Sequence, residues 1–235
     1  MLKKAGLLYL LSLLFISSVD AQKTTEFGFT VGRSYYIGEL NPKTHWGKNT
    51  GSLNYGAVFR LNLNERYSLK ASLIRTKLRA NDQNVDLPFN GQRSASFESK
   101  LTEFSTSIEF NFLPYKLGDK KHFFSPYIFV GISYFDFDNS IEVNGFSPQP
   151  TDEAGGGEFA MPFGPGFKLN IHRKVSLAFE WGFRKTSTDL LDGLENRLNQ
   201  DFETGKSYDN DWFVVSGFML TYKLTRVGPC PVYNF

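Results

Sequence analysis

A single cysteine in 235 residues rules out an internal disulfide framework. Cys230 stands near the C-terminus, so in an exported chain it is either a free thiol or a link to another molecule. Histidine is almost as scarce. His45, His122 and His172 are scattered, and no His or Cys spacing makes a metal site. Charge is nearly balanced, 26 basic against 24 acidic residues, so nothing points to nucleic acid. Mean hydropathy is only −0.29, too polar for a bundle of membrane helices. Phosphate-cradling motifs are missing too: the run Gly155-Gly156-Gly157 has no following Lys-Ser or Lys-Thr and reads as a flexible loop.

Aromatic residues, by contrast, are plentiful at 16%, with 24 Phe. Many aromatics in a chain of low hydropathy fit an apolar outer band around a polar interior. The clearest stretch is Val175 to Thr186. Val175, Leu177, Phe179, Trp181 and Phe183 share one parity, while Ser176, Ala178, Glu180, Gly182 and Arg184 share the other. That period of two belongs to an extended strand, and its length suits a tilted membrane crossing.

Residues 1–21 read as a secretory signal peptide. Lys3 and Lys4 precede an apolar run from Ala5 to Ile16, and Val19-Asp20-Ala21 forms an A-x-A-like cleavage site. No Cys follows that site, which excludes a lipoprotein anchor there. The remaining strands are expected at Glu26–Tyr35, Leu53–Leu63, Tyr67–Arg79, Leu101–Phe112, Pro126–Asp136, Phe159–Leu169 and Asp211–Leu224. Among the outward residues are Phe27, Phe29 and Tyr35 on the first and Trp212, Val214 and Phe218 on the last. The fifth is ambiguous, and Gly131 argues that Tyr127 and Phe129 face inward with it. Pro162 and Pro165 predict a bulge or irregular pairing in the sixth. Leu190, Leu191, Leu194 and Leu198 have the spacing of one short helix.

The seven links alternate long and short, with long polar stretches at Ala80–Ser96 and Phe137–Gly157 and a compact basic turn around Gly118. Exported barrels place short turns and both termini in the periplasm and longer loops outside. The expectation is therefore an all-β, eight-stranded antiparallel transmembrane β-barrel over residues 22–224, seated in outer-membrane lipid. Residues 225–235 form a periplasmic tail, where Pro229 and Pro231 hold Cys230 extended and presentable.

Eight strands leave an interior just filled by side chains, so a wide channel is not expected. Its inward set includes Arg60, Lys70, Lys168, Arg184 and Lys223 with Glu103, Glu109 and Glu180, which should pair as a structural plug. No catalytic, cofactor or metal site emerges, and the expectation is a protein that is not an enzyme. Two rivals stand beside it. A small lipid-modifying barrel would use His45 with a loop Ser and Asp189, and a surface adhesin or ligand-binding barrel would act through the long loops.

Several segments together resemble the PorG-like outer-membrane barrels of Bacteroidetes type IX secretion and gliding. They are Tyr36-Ile37-Gly38-Glu39-Leu40-Asn41-Pro42, Glu109-Phe110-Asn111-Phe112-Leu113-Pro114-Tyr115, Pro126-Tyr127-Ile128-Phe129-Val130-Gly131 and Pro162-Phe163-Gly164-Pro165-Gly166-Phe167-Lys168. Glu180-Trp181-Gly182-Phe183-Arg184-Lys185-Thr186, Asp189-Leu190-Leu191-Asp192, Asn210-Asp211-Trp212 and Cys230-Pro231 complete the set. The resemblance implies a non-enzymatic outer-membrane component that contacts the periplasmic ring of the secretion machinery, formed by a lipoprotein and its partner. It also implies Cys230 as a covalent tether to that ring.

Overall fold

The structure, a computed structural model, describes residues 24–37, 51–81, 95–143, 155–187 and 212–224. The expected signal peptide, leucine-spaced helix and C-terminal tail all lie outside them. Eight strands form in chain order: β1 Thr24–Ile37, β2 Ser52–Asn62, β3 Tyr67–Asn81, β4 Ala95–Asn111, β5 Phe124–Val143, β6 Gly155–His172, β7 Val175–Thr186 and β8 Trp212–Lys223. Each pairs antiparallel with its neighbour, and β1 closes onto β8 to complete the barrel. Closure leaves no free sheet edge, which is the condition for a sheet to sit in hydrocarbon.

Alternation produces this shape directly. Phe29 and Ile132 are 68% and 69% exposed on the outside, while Glu26, Arg60, Glu109 and Lys168 are fully buried within. A one-residue slip in any ladder would carry charges outward and aromatics inward, so the two-sided pattern specifies the register. That register aligns Lys223, Glu26, Arg60 and Lys70 in one row across β8, β1, β2 and β3. The ambiguous fifth strand takes the orientation indicated by Gly131: Tyr127 and Phe129 are buried inside, and Ile128 and Val130 face out.

Four details refine the sequence reading. The Gly155-Gly156-Gly157 run opens β6, paired with Asp138 to Asp136, and is not a loop. A Cβ on Gly157 would collide with the Tyr134 ring, so a bare backbone fits beneath that side chain. Second, the irregular pairing expected at the prolines of β6 is present, without a register shift. Pairing with β5 lapses between Val130–Phe163 and Ser133–Ala160, and pairing with β7 lapses between Phe163–Phe183 and Gly166–Glu180. Proline lacks an amide donor, so it opens gaps in the ladder, whereas the shift itself falls at Asn170/His172. Third, the polar segments expected as loops are partly strand: β4 begins at Ala95 and β5 runs on to Val143, so β3 to β6 form a taller wall than β7 and β8. Fourth, the β4–β5 link, residues 112–123, is as long as the 144–154 link at the opposite end, so the alternation of link lengths is broken there.

The 112–123 link folds back on the barrel at the end that carries the short β2–β3 and β6–β7 turns, the turn end; the opposite end is the long-link end. The Tyr115 amide donates to the Glu65 carbonyl at 3.0 Å, and the Lys116 amide to the His122 carbonyl at 3.0 Å. Asn170 Nδ2 donates to the Lys116 carbonyl at 2.8 Å. Gly118 takes φ 89°, and any Cβ there would press on the Arg173 carbonyl at 2.5 Å. Only glycine fits both demands without strain.

Candidate functional site: a plugged lumen between two different ends

The centre of the barrel is an ion network around Glu109. Arg60 Nε donates to Glu109 Oε2 at 2.9 Å, and Lys168 Nζ approaches the same oxygen at 2.6 Å. Lys70 lies 3.9 Å from the same carboxylate and pairs directly with Glu180, which also accepts from the Tyr127 hydroxyl at 3.0 Å. Arg60 Nη1 reaches Glu26 at 3.3 Å, and Glu26 further accepts from Asn62 Nδ2 at 2.6 Å and Thr221 Oγ1 at 2.5 Å. Nearer the long-link end, Arg184 Nε donates to both oxygens of Glu103 at 3.3 Å, and its Nη1 to the Gly182 carbonyl at 2.7 Å. Gly182 leaves the room: a Cβ there would overlap the Arg184 guanidinium.

Glu26, Glu103, Glu109 and Glu180 thus face Arg60, Lys70, Lys168 and Arg184, a balanced interior. Balance matters because an uncompensated charge out of water costs several kcal/mol. Aromatic faces supply further compensation: Lys70 Nζ lies 4.4 Å from the Phe129 centroid and Lys168 Nζ 4.7 Å from that of Tyr127.

Both ends of this network are covered. On the long-link side an apolar cluster fills the barrel, including Tyr36, Ile74, Leu101, Phe135 and Phe213, with Phe135 and Phe213 edge to face at 5.6 Å. On the turn side Tyr115 and Leu117 of the 112–123 link are buried, and the Tyr115 hydroxyl donates to Ser176 Oγ at 2.7 Å. Lumen charges are thus structural groups with partners, out of reach of bulk solution. Among the described residues, no three His, Cys, Asp or Glu side chains come together to hold a metal ion.

Outside, the apolar belt is edged by aromatics. At the turn end Tyr67, Phe112, Phe124 and Tyr222 are exposed, and Phe110 bridges Tyr67 and Phe112 with centroids at 5.4 Å. At the other edge Tyr35 departs from its expected exposure. It keeps its outward parity but is only 2% exposed, because Trp181 Nε1 donates to its hydroxyl at 3.1 Å across β8. Val214, its ladder partner, is buried for the same reason.

The turn end is also strongly basic. Arg66, Lys116, Lys120, Lys121, Arg173 and Lys174 are exposed, against Glu65 and Asp119. Asp119 Oδ1 accepts from the Lys121 amide at 2.8 Å and Oδ2 meets His122 Nδ1 at 3.0 Å. Those bonds, the backbone one foremost, hold its carboxyl below the ordinary aspartate value. On the opposite side of the belt Glu98 is similarly lowered by its bond from Lys77 and then by Arg79.

Of the residues singled out in the sequence, the structure brings Arg60, Lys70, Lys168, Arg184, Glu103, Glu109 and Glu180 together as paired interior charges. Lys223 is only half-buried, at the barrel mouth. Glu26 belongs to the network as well, and its shared parity with Gly28 and Thr30 is the signal the sequence holds. Tyr115 carried no signal, since nothing in a turn sequence says that its ring enters a barrel. Cys230, Pro229, Pro231, His45 and Asp189 lie outside the described residues.

No curated protein matches the chain. Solved structures similar to it include the Ail attachment invasion locus protein of Yersinia pestis in complex with the heparin analogue sucrose octasulfate, at 10% identity and TM-score 0.45, covering 86% of this chain and 97% of that one. The N-terminal β-barrel domain of Pseudomonas aeruginosa OprF matches at 9% identity and TM-score 0.45, covering 86% and 98%. Neisserial surface protein A matches at 10% identity and TM-score 0.48, covering 84% and 96%. The model of the family described as a domain of unknown function, DUF6089, matches residues 4–234, and the chain belongs to that family.

Proposed function

We propose that this chain is an outer-membrane barrel acting as a non-enzymatic anchor, contacting the periplasmic ring of the type IX secretion and gliding machinery. The exposed apolar belt, closed by strand pairing and edged with aromatics, supports lipid as its surroundings. The short β2–β3 and β6–β7 turns and both ends of the barrel sequence share one side, which would face the periplasm.

One observation carries the anchoring role: a six-cation face built on a rigid, plugged barrel, at the end where the chain's tail emerges. With the lumen occupied by its own ion pairs, solute passage has no route, and function falls to the surfaces. A basic face suits a partner of opposite sign, since charge complementarity steers encounter and fixes orientation. The tail with Cys230 would then tether what the face recruits, and the lipoprotein ring that the sequence resemblance implies is the partner proposed.

The test is site-specific photo-crosslinking in living cells. A crosslinker at Lys120 should trap a periplasmic lipoprotein or its partner, while one at lipid-facing Ile132 should not. Non-reducing gels of wild type and Cys230→Ser report the tether separately. Lipid adducts alone from both positions, with secretion intact after deletion of the protein, would refute the anchor. A chain that purified from the aqueous phase without detergent would refute the membrane barrel itself.

A further inference from the structure

We propose that the outward face of β3 and β4 just above the apolar belt is a binding site for the phosphate groups of an outer-leaflet glycolipid. This rests on the membrane-barrel reading and on its orientation, with the long-link end outside.

Position comes first. Along β3 the outward series runs Tyr67, Leu69, Ala71, Leu73 and then turns to Arg75, Lys77 and Arg79. On β4 it runs down from Lys100 and Thr102 to Phe104, and on β5 from Asp136 to Tyr134. Arg75 stands opposite Thr102, so the change from apolar to charged occurs at one level across neighbouring strands. Side chains at that level point outward at the depth where hydrocarbon gives way to headgroups.

Charge comes second. Lys77 lies directly opposite Lys100 in the β3–β4 ladder, a like-charge pairing that destabilises a sheet unless an anion intervenes. Glu98 serves Lys77 and Arg79, at 2.7 and 2.6 Å. Among the described residues no ion pair reaches Arg75 or Lys100, although Asp138 faces Lys100 across the β4–β5 ladder. Both side chains are exposed. Two cations are therefore left, Arg75 level with Thr102 and Lys100 one outward position further along β4, while Asp136 and Asp138 bound the patch on the β5 side.

Shape comes third. Arg75, Lys77, Arg79 and Lys100, with Asp136 and Asp138 on the β5 wall, line a surface hollow that continues onto Leu53 and Tyr55, both exposed apolar side chains of the belt. A soluble anion would have no use for that apolar floor. An amphiphile with a phosphorylated head and acyl chains uses both parts, and juxtamembrane cations attract anionic lipid headgroups in this way.

The test uses the full-length protein in detergent micelles and three probes: lipid A with two phosphates, the same lipid dephosphorylated, and inorganic phosphate. Native mass spectrometry reads lipid retention, and a heat-dependent shift on gels reports the folded barrel. Arg75→Gln with Lys100→Gln should weaken retention of phosphorylated lipid A by roughly tenfold to thirtyfold, on the order expected for two surface cations. Dephosphorylation of the lipid should weaken wild-type retention similarly, millimolar inorganic phosphate should not displace it, and Lys120→Gln with Lys174→Gln at the other end should leave it unchanged. Equal retention of both lipids, wild-type behaviour of the Arg75/Lys100 variant, or an equal loss in the turn-end variant would overturn the site; displacement by inorganic phosphate would make it a general anion site and overturn the lipid. A missing gel shift in wild type would instead count against the barrel reading beneath it.

Discussion

Replacing Glu109 with glutamine removes one negative charge from the middle of the lumen while keeping volume and shape. Three cations point at that carboxylate: Arg60 at 2.9 Å, Lys168 at 2.6 Å and Lys70 at 3.9 Å. In Glu109→Gln the buried interior holds four cations and three carboxylates, and an amide group that carries donors faces Arg60 and Lys168. Breaking one partner of a buried network costs about 3–5 kcal/mol. With a urea slope of about 1–3 kcal/mol/M, the unfolding midpoint in lipid vesicles should fall by at least about 1 M. Adding Lys168→Met returns the count to three and three, and should recover about 1 kcal/mol or more, since contacting residues couple on that scale. A single-variant loss below about 1 kcal/mol, or no recovery in the double variant, would refute the view that charge balance holds the lumen together.

Three further outcomes follow from the same structure. Gly118→Ala should destabilise the barrel by about 1–2 kcal/mol, because alanine must take a positive φ there against the Arg173 carbonyl; urea titration reads it, and no change would refute the strain. Tyr115→Phe should cost about 1 kcal/mol by leaving Ser176 without its donor, whereas planar-bilayer recordings should find both wild type and variant closed to ions; steady conductance in wild type would disprove the plugged lumen. Asp119 is held below its unfolded value by the Lys121 amide and His122, so its contribution is present above the ordinary carboxylate pKa of about 4 and fades as pH falls through the lower folded value. The protection factor of the Lys121 amide should therefore fall in acid, and in Asp119→Ala at neutral pH; protection independent of both would refute the link.

Barrel form was readable because a period of two is a local property. Val175 to Thr186 shows it within one strand, and residues opposite each other on neighbouring strands, such as Phe29 and Ala57, obey the same parity once the chain closes. Inward charges were readable for the same reason: Arg60, Lys168 and Glu109 sit on the polar parity of aromatic strands. The ambiguous strand β5 yielded to one glycine, since Gly131 faces in with Tyr127 and Phe129. Strand ends resisted, because polarity alone marks both a loop and a wall standing above the membrane; β5 therefore continues through residues that looked like a link.

What the sequence determined alone was parity: which residues face lipid, which face the lumen, and hence a closed eight-stranded wall. Only the tertiary structure decided which charge meets which, because Lys70 and Glu180 are 110 residues apart and touch across the lumen. It also decided that Tyr115 leaves its turn to close the barrel, and that Trp181 reaches over β8 to bury Tyr35. Alternation is set by the geometry of one strand, whereas these contacts depend on curvature and closure, which exist only when all eight strands are paired.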